Sequence, residues 1–320
     1  MEILPATRSS GALEARPAGI EEMIQSFLKE QDVKATSRAT YERSLRQFTA
    51  WLLETGRAER MATLQRDDML QYKEELLAAG KSSHTVTLYL TAVRRLYQWL
   101  EAKKVYPDVT RGVKGARKPK GHLKDVLSPE QLRQALEAMD RTSLTGLRDY
   151  ALFNLLARTG LRTIEAARAT VGDIRQAPGL HDGERVLWIQ GKGRDSLDDF
   201  VILTPEALAP IQEYLEARGA AYSRPADALF RSDSDRNYGE ALTTRSISRI
   251  IKEALKAIGL DDSRLTAHSM RHTAITLAIL GGASLQQAQA MARHADPKVT
   301  QEYFHNLNRV GAAAERSITF

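Results

Sequence analysis

The sequence predicts a mainly α-helical chain with one small antiparallel β-sheet, divided into two domains. Three observations lead there. Apolar residues recur near helical spacing through four segments of the first third. Short runs rich in Val, Ile and Trp, punctuated by Gly and Asp, interrupt that texture between Val171 and Thr204. A basic segment bearing glycines and a proline, Arg111 to Lys124, separates the two halves. With 320 residues and 42% hydrophobic content, the chain can build two cores of ordinary globular composition.

Residues 1–18 are expected to form a loose tail or short docking arm. They lack a basic stretch followed by an apolar one, which argues against a secretory signal. Helices are predicted over Gly19–Gln31, Thr40–Thr55, Arg66–Gly80 and Ser83–Lys104, with Ser37 and Ser83 as caps and Gly56 and Gly80 as stops. Short connections make residues 19–105 a small helical bundle. Its last helix mixes Thr85, Thr87, Tyr89, Thr91, Arg94, Arg95 and Tyr97. That composition suits phosphate contacts, and an ordinary surface helix tolerates it equally.

Residues 106–124 form the linker. Its stretch "RGVKGARKPKGHLK" carries six Lys/Arg and no acid, so it is expected to stay extended and attract polyanions. It is either a solvated connection or a strap along a phosphate backbone, where each neutralised phosphate releases counterions. Lys114, Arg117, Lys118 and Lys120 are the candidate contacts, together with Arg94 and Arg95.

Residues 125–320 open with Ser128 as an N-cap and Pro129 at the first helical position. "TGLRDYALFNLLARTG" is an amphipathic helix stopping at Gly160. "VGDIRQ", "ERVLWIQGKG" and "DDFVILT" read as three antiparallel strands with a tight turn at "GKGRDS". Helices follow at Pro205–Arg218, Thr243–Gly259, His268–Leu280, Ser284–Arg293 and Pro297 to roughly Arg309. The tail from Asn306 to Phe320 either docks on a neighbouring subunit or folds back on its own domain.

The absence of cysteine excludes disulfides, thiolate zinc sites and cysteine nucleophiles. No apolar run is long enough to cross a bilayer. A net charge of +6, concentrated in the linker, and a cytoplasmic location fit together.

Four stretches carry candidate chemistry. In "ARTGLRTIEAARAT", Arg162 sits between a helix stop and a helix start, with Glu165 in the following first turn, where it complements the helix dipole. In "IQGKGRDS", Lys192 is lifted between two glycines at a hairpin tip. In "LTAHSMRHTAIT", His268 and Arg271 are three apart and share a helix face. They could address one phosphate, the guanidinium as a fork and the imidazole as a proton carrier. His272 is expected on another face, in packing or helix-end chemistry. In "MARHADPKVTQEYFH", Asp296 and Pro297 start a helix, placing His294 at its mouth and Tyr303 nearly two turns in. Taken singly, each has an ordinary structural explanation.

Their order carries more. Arg162, Lys192, His268-x-x-Arg271, His294 and Tyr303 resemble, in type and sequence, the catalytic pattern of the tyrosine recombinases, the phage and transposon integrase family. The resemblance spans roughly Leu127 to Arg309, and the preceding bundle resembles the family's core-binding domain. It implies site-specific DNA strand transfer without metal, ATP or any cofactor. Tyr303 would attack the scissile phosphate, giving a 3′-phosphotyrosyl link and a free 5′-hydroxyl. His268 is the candidate base, with a hydrogen-bonding role as the alternative, and Arg162 and Arg271 would stabilise the phosphate charge. Lys192 would protonate the leaving oxygen, His294 would position the phosphate, and Glu165 would support the site. The implied partners are a double-stranded recombination site, three further copies of the chain in a homotetramer on two duplexes, and an accessory DNA-bending or directionality protein.

Two features depart from the family. Ala292-Arg293 stands where many relatives have Leu-Gly, and Arg293 is expected to be exposed or to touch DNA. Asp198 and Asp199 are unusually acidic for this region and are expected away from DNA, with no matching ligand cluster for a metal. Several tasks fit the pattern: integration or excision of a mobile element, which the "QEYFHNLNR" ending favours, or resolution of chromosome or plasmid dimers. A type IB topoisomerase or telomere resolvase fits the compact first domain poorly. A non-catalytic DNA-binding regulator has no reason to hold Tyr303, Lys192 and both arginines together.

Overall fold

The computed structural model describes residues 17–117, 126–191, 194, 196–294 and 296–303. The chain divides into two compact units, Met1–Gly121 and His122–Phe320.

The first unit packs α1 (Pro17–Glu30), α2 (Ala35–Glu54), α3 (Arg66–Ala78) and α4 (Ser83–Ala102), with a short 3₁₀ helix at Ala58–Thr63. Phe27, Leu45, Phe48, Tyr72, Leu96 and Tyr97 are fully buried at its centre. Phe48 meets the edge of Tyr72 at 5.2 Å between ring centroids. Trp51 keeps its indole polar end satisfied, donating to Glu75 Oε2 at 2.6 Å. The cap of α4 is Ser82, whose hydroxyl accepts from the Thr85 N–H, one residue before the expected Ser83. Ser37 is no cap at all. The chain is already helical at Ala35, so Ser37 sits inside the first turn of α2.

The start of the basic linker is not free. Val113 and Ala116 bury against this bundle, Arg111 pairs with Glu101 at 2.5 Å, and Arg94 donates to the Val113 carbonyl at 2.9 Å. Apolar residues interleaved with the basic ones account for it, because burying them fixes the chain that carries the charges.

The second unit surrounds α6 (Leu144–Thr159), whose Leu152, Phe153, Leu155 and Leu156 are all fully buried. The expected amphipathic helix is instead buried on every side from Ala151 to Ala157, with Asn154 among the apolar residues, and so lies in the core. Around it lie α5 (Pro129–Ala138), α7 (Thr163–Arg168), α8 (Pro205–Arg218), α9 (Thr244–Ala257), α10 (Ala267–Leu280), α11 (Leu285–Ala292) and α12 (297–303). The α9 pattern Ile247, Ile250, Ile251, Ala254, Leu255 is a clean helical stripe, and all of it is buried. Ser128 and Pro129 start α5 as expected, with the Gln131 N–H on the Ser128 hydroxyl.

The sheet is antiparallel in the order β1 (Ile174–Arg175), β2 (Arg185–Ile189), β3 (Asp199–Leu203). Leu187 pairs with Val201 on the buried face, while Phe200 and Ile202 face outward. The first strand is shorter than "VGDIRQ" suggested. Val171–Asp173 form a 3₁₀ turn instead, held by the Asp173 carboxylate on the Thr170 N–H.

Candidate active site

Arg162 is the N-cap of α7. Its extended backbone follows Gly160, which closes α6 at φ +61°. Glu165, one turn on, accepts from the Arg162 N–H and from its guanidinium, both at 2.8 Å. The carboxylate is fully buried and the Arg162 side chain partly exposed, so the helix start presents a cation backed by a buried anion.

Arg293 adds a cation that sequence reasoning placed elsewhere. It is neither exposed nor turned outward: it ends α11 at φ +52°, and its side chain is only 6% exposed. The left-handed backbone turns the side chain inward, where it reaches Glu165 Oε2 at 2.7 Å. Its Nε is buried and meets no acceptor among the described residues. Burial alone would raise the Glu165 pKa. Arg293, then the Arg162 N–H and guanidinium, outweigh that and hold it below its ordinary value.

Arg271, fully buried on α10, ties two helix ends together. One of its terminal nitrogens donates to the Gly160 carbonyl at 2.7 Å, and the other donates to the Ala292 carbonyl. A cation at the C-terminal ends of α6 and α11 complements both dipoles. Burial first, then Arg162 and Arg293, draw its pKa down to about 10, which leaves it charged at neutral pH. A guanidinium has five N–H groups. Two are engaged on these carbonyls, so the scaffold orients the group without using it up.

Asp296 starts α12 as expected, its carboxylate accepting from the Lys298 N–H at 3.0 Å. His294 hydrogen-bonds Thr300 through Nδ1 at 2.8 Å, and its ring stacks with Tyr303 at 6.4 Å. Tyr303 is 6% exposed, and burial pushes its phenol up to about 12. The phenol is hydrogen-bonded to His272 Nδ1. His272 therefore does not lie on an unrelated face. It is one turn from His268, and the two rings meet edge-on at 4.5 Å. The signal was legible as a spacing of four; its partner on α12 was not.

A cleft of about 340 Å³ is lined by Arg162, Glu165, Gly191, Asp198, Arg293 and His294. Asp198 and Asp199, expected away from DNA, both line it, with Asp198 paired to Arg194 at 2.9 Å. Lys192 lies outside the described residues, although its neighbour Gly191 is in the cleft wall. Among the candidate DNA contacts, Arg95, Lys114 and Arg117 are exposed and Arg94 is half-buried, while Lys118 and Lys120 lie outside the described residues. No group of three or more His, Asp or Glu suited to a metal occurs among the described residues.

The chain matches the phage integrase family over residues 125–309 and the phage integrase N-terminal SAM-like domain over residues 20–104. It is 30% identical to a tyrosine recombinase of Synechococcus elongatus, over 88% of each chain. Against the tyrosine recombinase XerD of Listeria monocytogenes it is 27% identical, over 89% of this chain and 93% of the relative. Among solved structures it resembles the XerH site-specific recombinase bound to a palindromic difH substrate in a post-cleavage complex. That likeness has a TM-score of 0.72 at 21% identity and covers 94% of this chain and 85% of the other. The Tn1549 transposon integrase in complex with transposon right-end DNA gives a TM-score of 0.69 at 16% identity, over 93% and 98% of the two chains.

Proposed function

Because the chain belongs to the phage integrase family of tyrosine recombinases, enzymes that cleave and rejoin DNA strands, we propose that it does so through a 3′-phosphotyrosyl intermediate on Tyr303. The supporting observation is the convergence of Arg162, Glu165 and Arg271 beside Tyr303 and His294. Charge that builds on the non-bridging oxygens during attack would meet two guanidiniums already fixed in place, so little reorganisation is needed. His268, exposed on α10 and expected as the base, takes the alternative role here, as a hydrogen-bond donor to the phosphate. His294 positions the same group, and Lys192 protonates the leaving 5′-oxygen. The phosphotyrosyl link conserves the bond energy, so rejoining needs no ATP.

In this reading residues 19–105 bind duplex DNA, and Arg94, Arg95, Lys114, Arg117, Lys118 and Lys120 contribute phosphate contacts. The working form is a homotetramer on two duplexes, aided by a DNA-bending or directionality protein, in the cytoplasm where the DNA lies. No described helix is long and apolar enough to cross a membrane. The task is integration and excision of a mobile element. A second reading, resolution of chromosome or plasmid dimers, is favoured by the relatives named XerD and XerC, the former aligned over nine-tenths of their own length.

One assay tests the chemistry and separates the tasks. The protein is incubated in EDTA, without ATP, with nicked duplex from the DNA flanking its gene, beside Tyr303→Phe. A covalent protein–DNA band from wild type alone supports the reading. Binding without an adduct on any flanking fragment supports the regulator instead. Two plasmids carrying the reactive fragment then report the task. Exchange between a flanking site and a separate target indicates integration, and exchange confined to two identical sites indicates dimer resolution.

A further inference from the structure

The proposed reaction needs an acceptor for the Tyr303 proton, and water is poorly placed to be one. The phenol is 6% exposed. His294, although stacked on Tyr303, has its Nδ1 engaged with Thr300. Arg271, the nearby cation, stabilises phenolate but has no lone pair to take a proton. One basic nitrogen does touch the hydroxyl: His272 Nδ1, on the face of α10 opposite α12. Behind it, the exposed ring of His268 packs edge-on at 4.5 Å.

We propose that His272 is a catalytic residue of this recombinase, the base that takes the proton from the Tyr303 hydroxyl as it attacks DNA. The inference rests on Tyr303 being the nucleophile. The proton balance closes without any further reactant. The Tyr303 O–H bond breaks as its oxygen bonds to phosphorus, and the proton passes to His272 Nδ1. The bond from phosphorus to the 5′-oxygen breaks, and that oxygen takes a proton from the acid, the role given to Lys192. On rejoining, the 5′-hydroxyl returns its proton to Lys192 as it attacks, the phosphotyrosyl bond breaks, and His272 returns its proton to the phenol. His268 then faces the phosphate.

The test measures single-turnover adduct formation on the nicked duplex, with DNA binding followed in parallel. His272→Ala and His272→Gln are compared; glutamine retains a hydrogen bond to the phenol but has no basic nitrogen. Both variants are expected to bind DNA normally and to form adduct about 10²-fold more slowly. Each is then made with trifluorotyrosine at position 303, whose phenol ionises near neutral pH and needs no base. With that nucleophile the penalty for losing His272 is expected to shrink to a few-fold. A penalty of the same size with either nucleophile, or a His272→Gln rate equal to wild type, overturns the proposal and leaves His272 as a positioning residue. An adduct that persists in Tyr303→Phe overturns the parent reading instead, and the control reports it separately.

Discussion

Helices α6 and α11 end alike and with different residues. Each closes on a left-handed backbone, Gly160 at φ +61° and Arg293 at φ +52°, and Arg271 holds a carbonyl at each end. At Gly160 the absence of a side chain serves conformation, since a Cβ there would meet the Ala274 methyl only in ordinary contact at 3.4 Å. At Arg293 the chain tolerates a conformation that costs a non-glycine residue about 1–2 kcal/mol. In return a third guanidinium reaches the buried Glu165. One end supplies shape alone; the other supplies shape and charge. Local strain at a functional site is retained where surrounding contacts hold it.

The shared element should be the most sensitive. Arg271→Ala leaves two buried carbonyls unpaired and removes one of the guanidiniums proposed to face the phosphate. Single-turnover cleavage is expected to fall by about 10²–10³-fold. Arg271→Lys should recover little, because a compact ammonium cannot bridge both carbonyls as the planar fork does. A lysine variant with near wild-type cleavage would break the comparison.

Arg293→Gly removes the charge and relaxes the backbone, making the end of α11 resemble that of α6. Cleavage is expected to slow by about 10-fold as Glu165 and Arg162 lose their fixed geometry. Stability should fall, since the loss of the main cation holding the buried Glu165 carboxylate outweighs about 1–2 kcal/mol of strain relief. Combined with Glu165→Gln, the effect should be less than additive, as expected for side chains in direct contact. Full additivity would show that Arg293 acts independently of Glu165.

Gly160→Ala is the converse substitution. It imposes left-handed strain with no compensating charge and should cost about 1–2 kcal/mol in urea unfolding. Its effect on cleavage should be smaller than that of Arg293→Gly.

The smallest effect is on pH dependence. Glu165 is held below its ordinary pKa of 4.5 in the folded protein, so its contribution to stability is fully present above that value. It is lost as pH falls through the depressed folded value. The stability difference between wild type and Glu165→Gln should therefore be constant near neutrality and narrow only as the pH falls below 4.5. A difference that grows on acidification would contradict the assigned direction.

Periodicity made much of the architecture legible. The stripe of α9 and the Ser128–Pro129 start of α5 are local patterns, and local patterns survive folding. The 3₁₀ helix at Ala58–Thr63 was not legible because one short turn has no period to detect. The cap of α4 moved from Ser83 to Ser82 because two adjacent serines offer the same side chain to the helix start. The site shows the same division. Arg162, Arg271 and Tyr303 were legible as residue types in order. The inward turn of Arg293 was not, because it depends on one backbone angle. The His272–Tyr303 contact depends on α10 meeting α12, a tertiary fact outside any sequence window.

The central claim is that one phenol carries the covalent step. The most direct measurement is to trap the protein on nicked duplex, digest the adduct, and locate the nucleotide-bearing peptide by mass spectrometry. The account predicts a single modified residue, Tyr303, joined to the 3′ end of the cleaved strand. A nucleotide on an exposed phenol such as Tyr238, 78% accessible on the surface, or a link to the 5′ end, would contradict it.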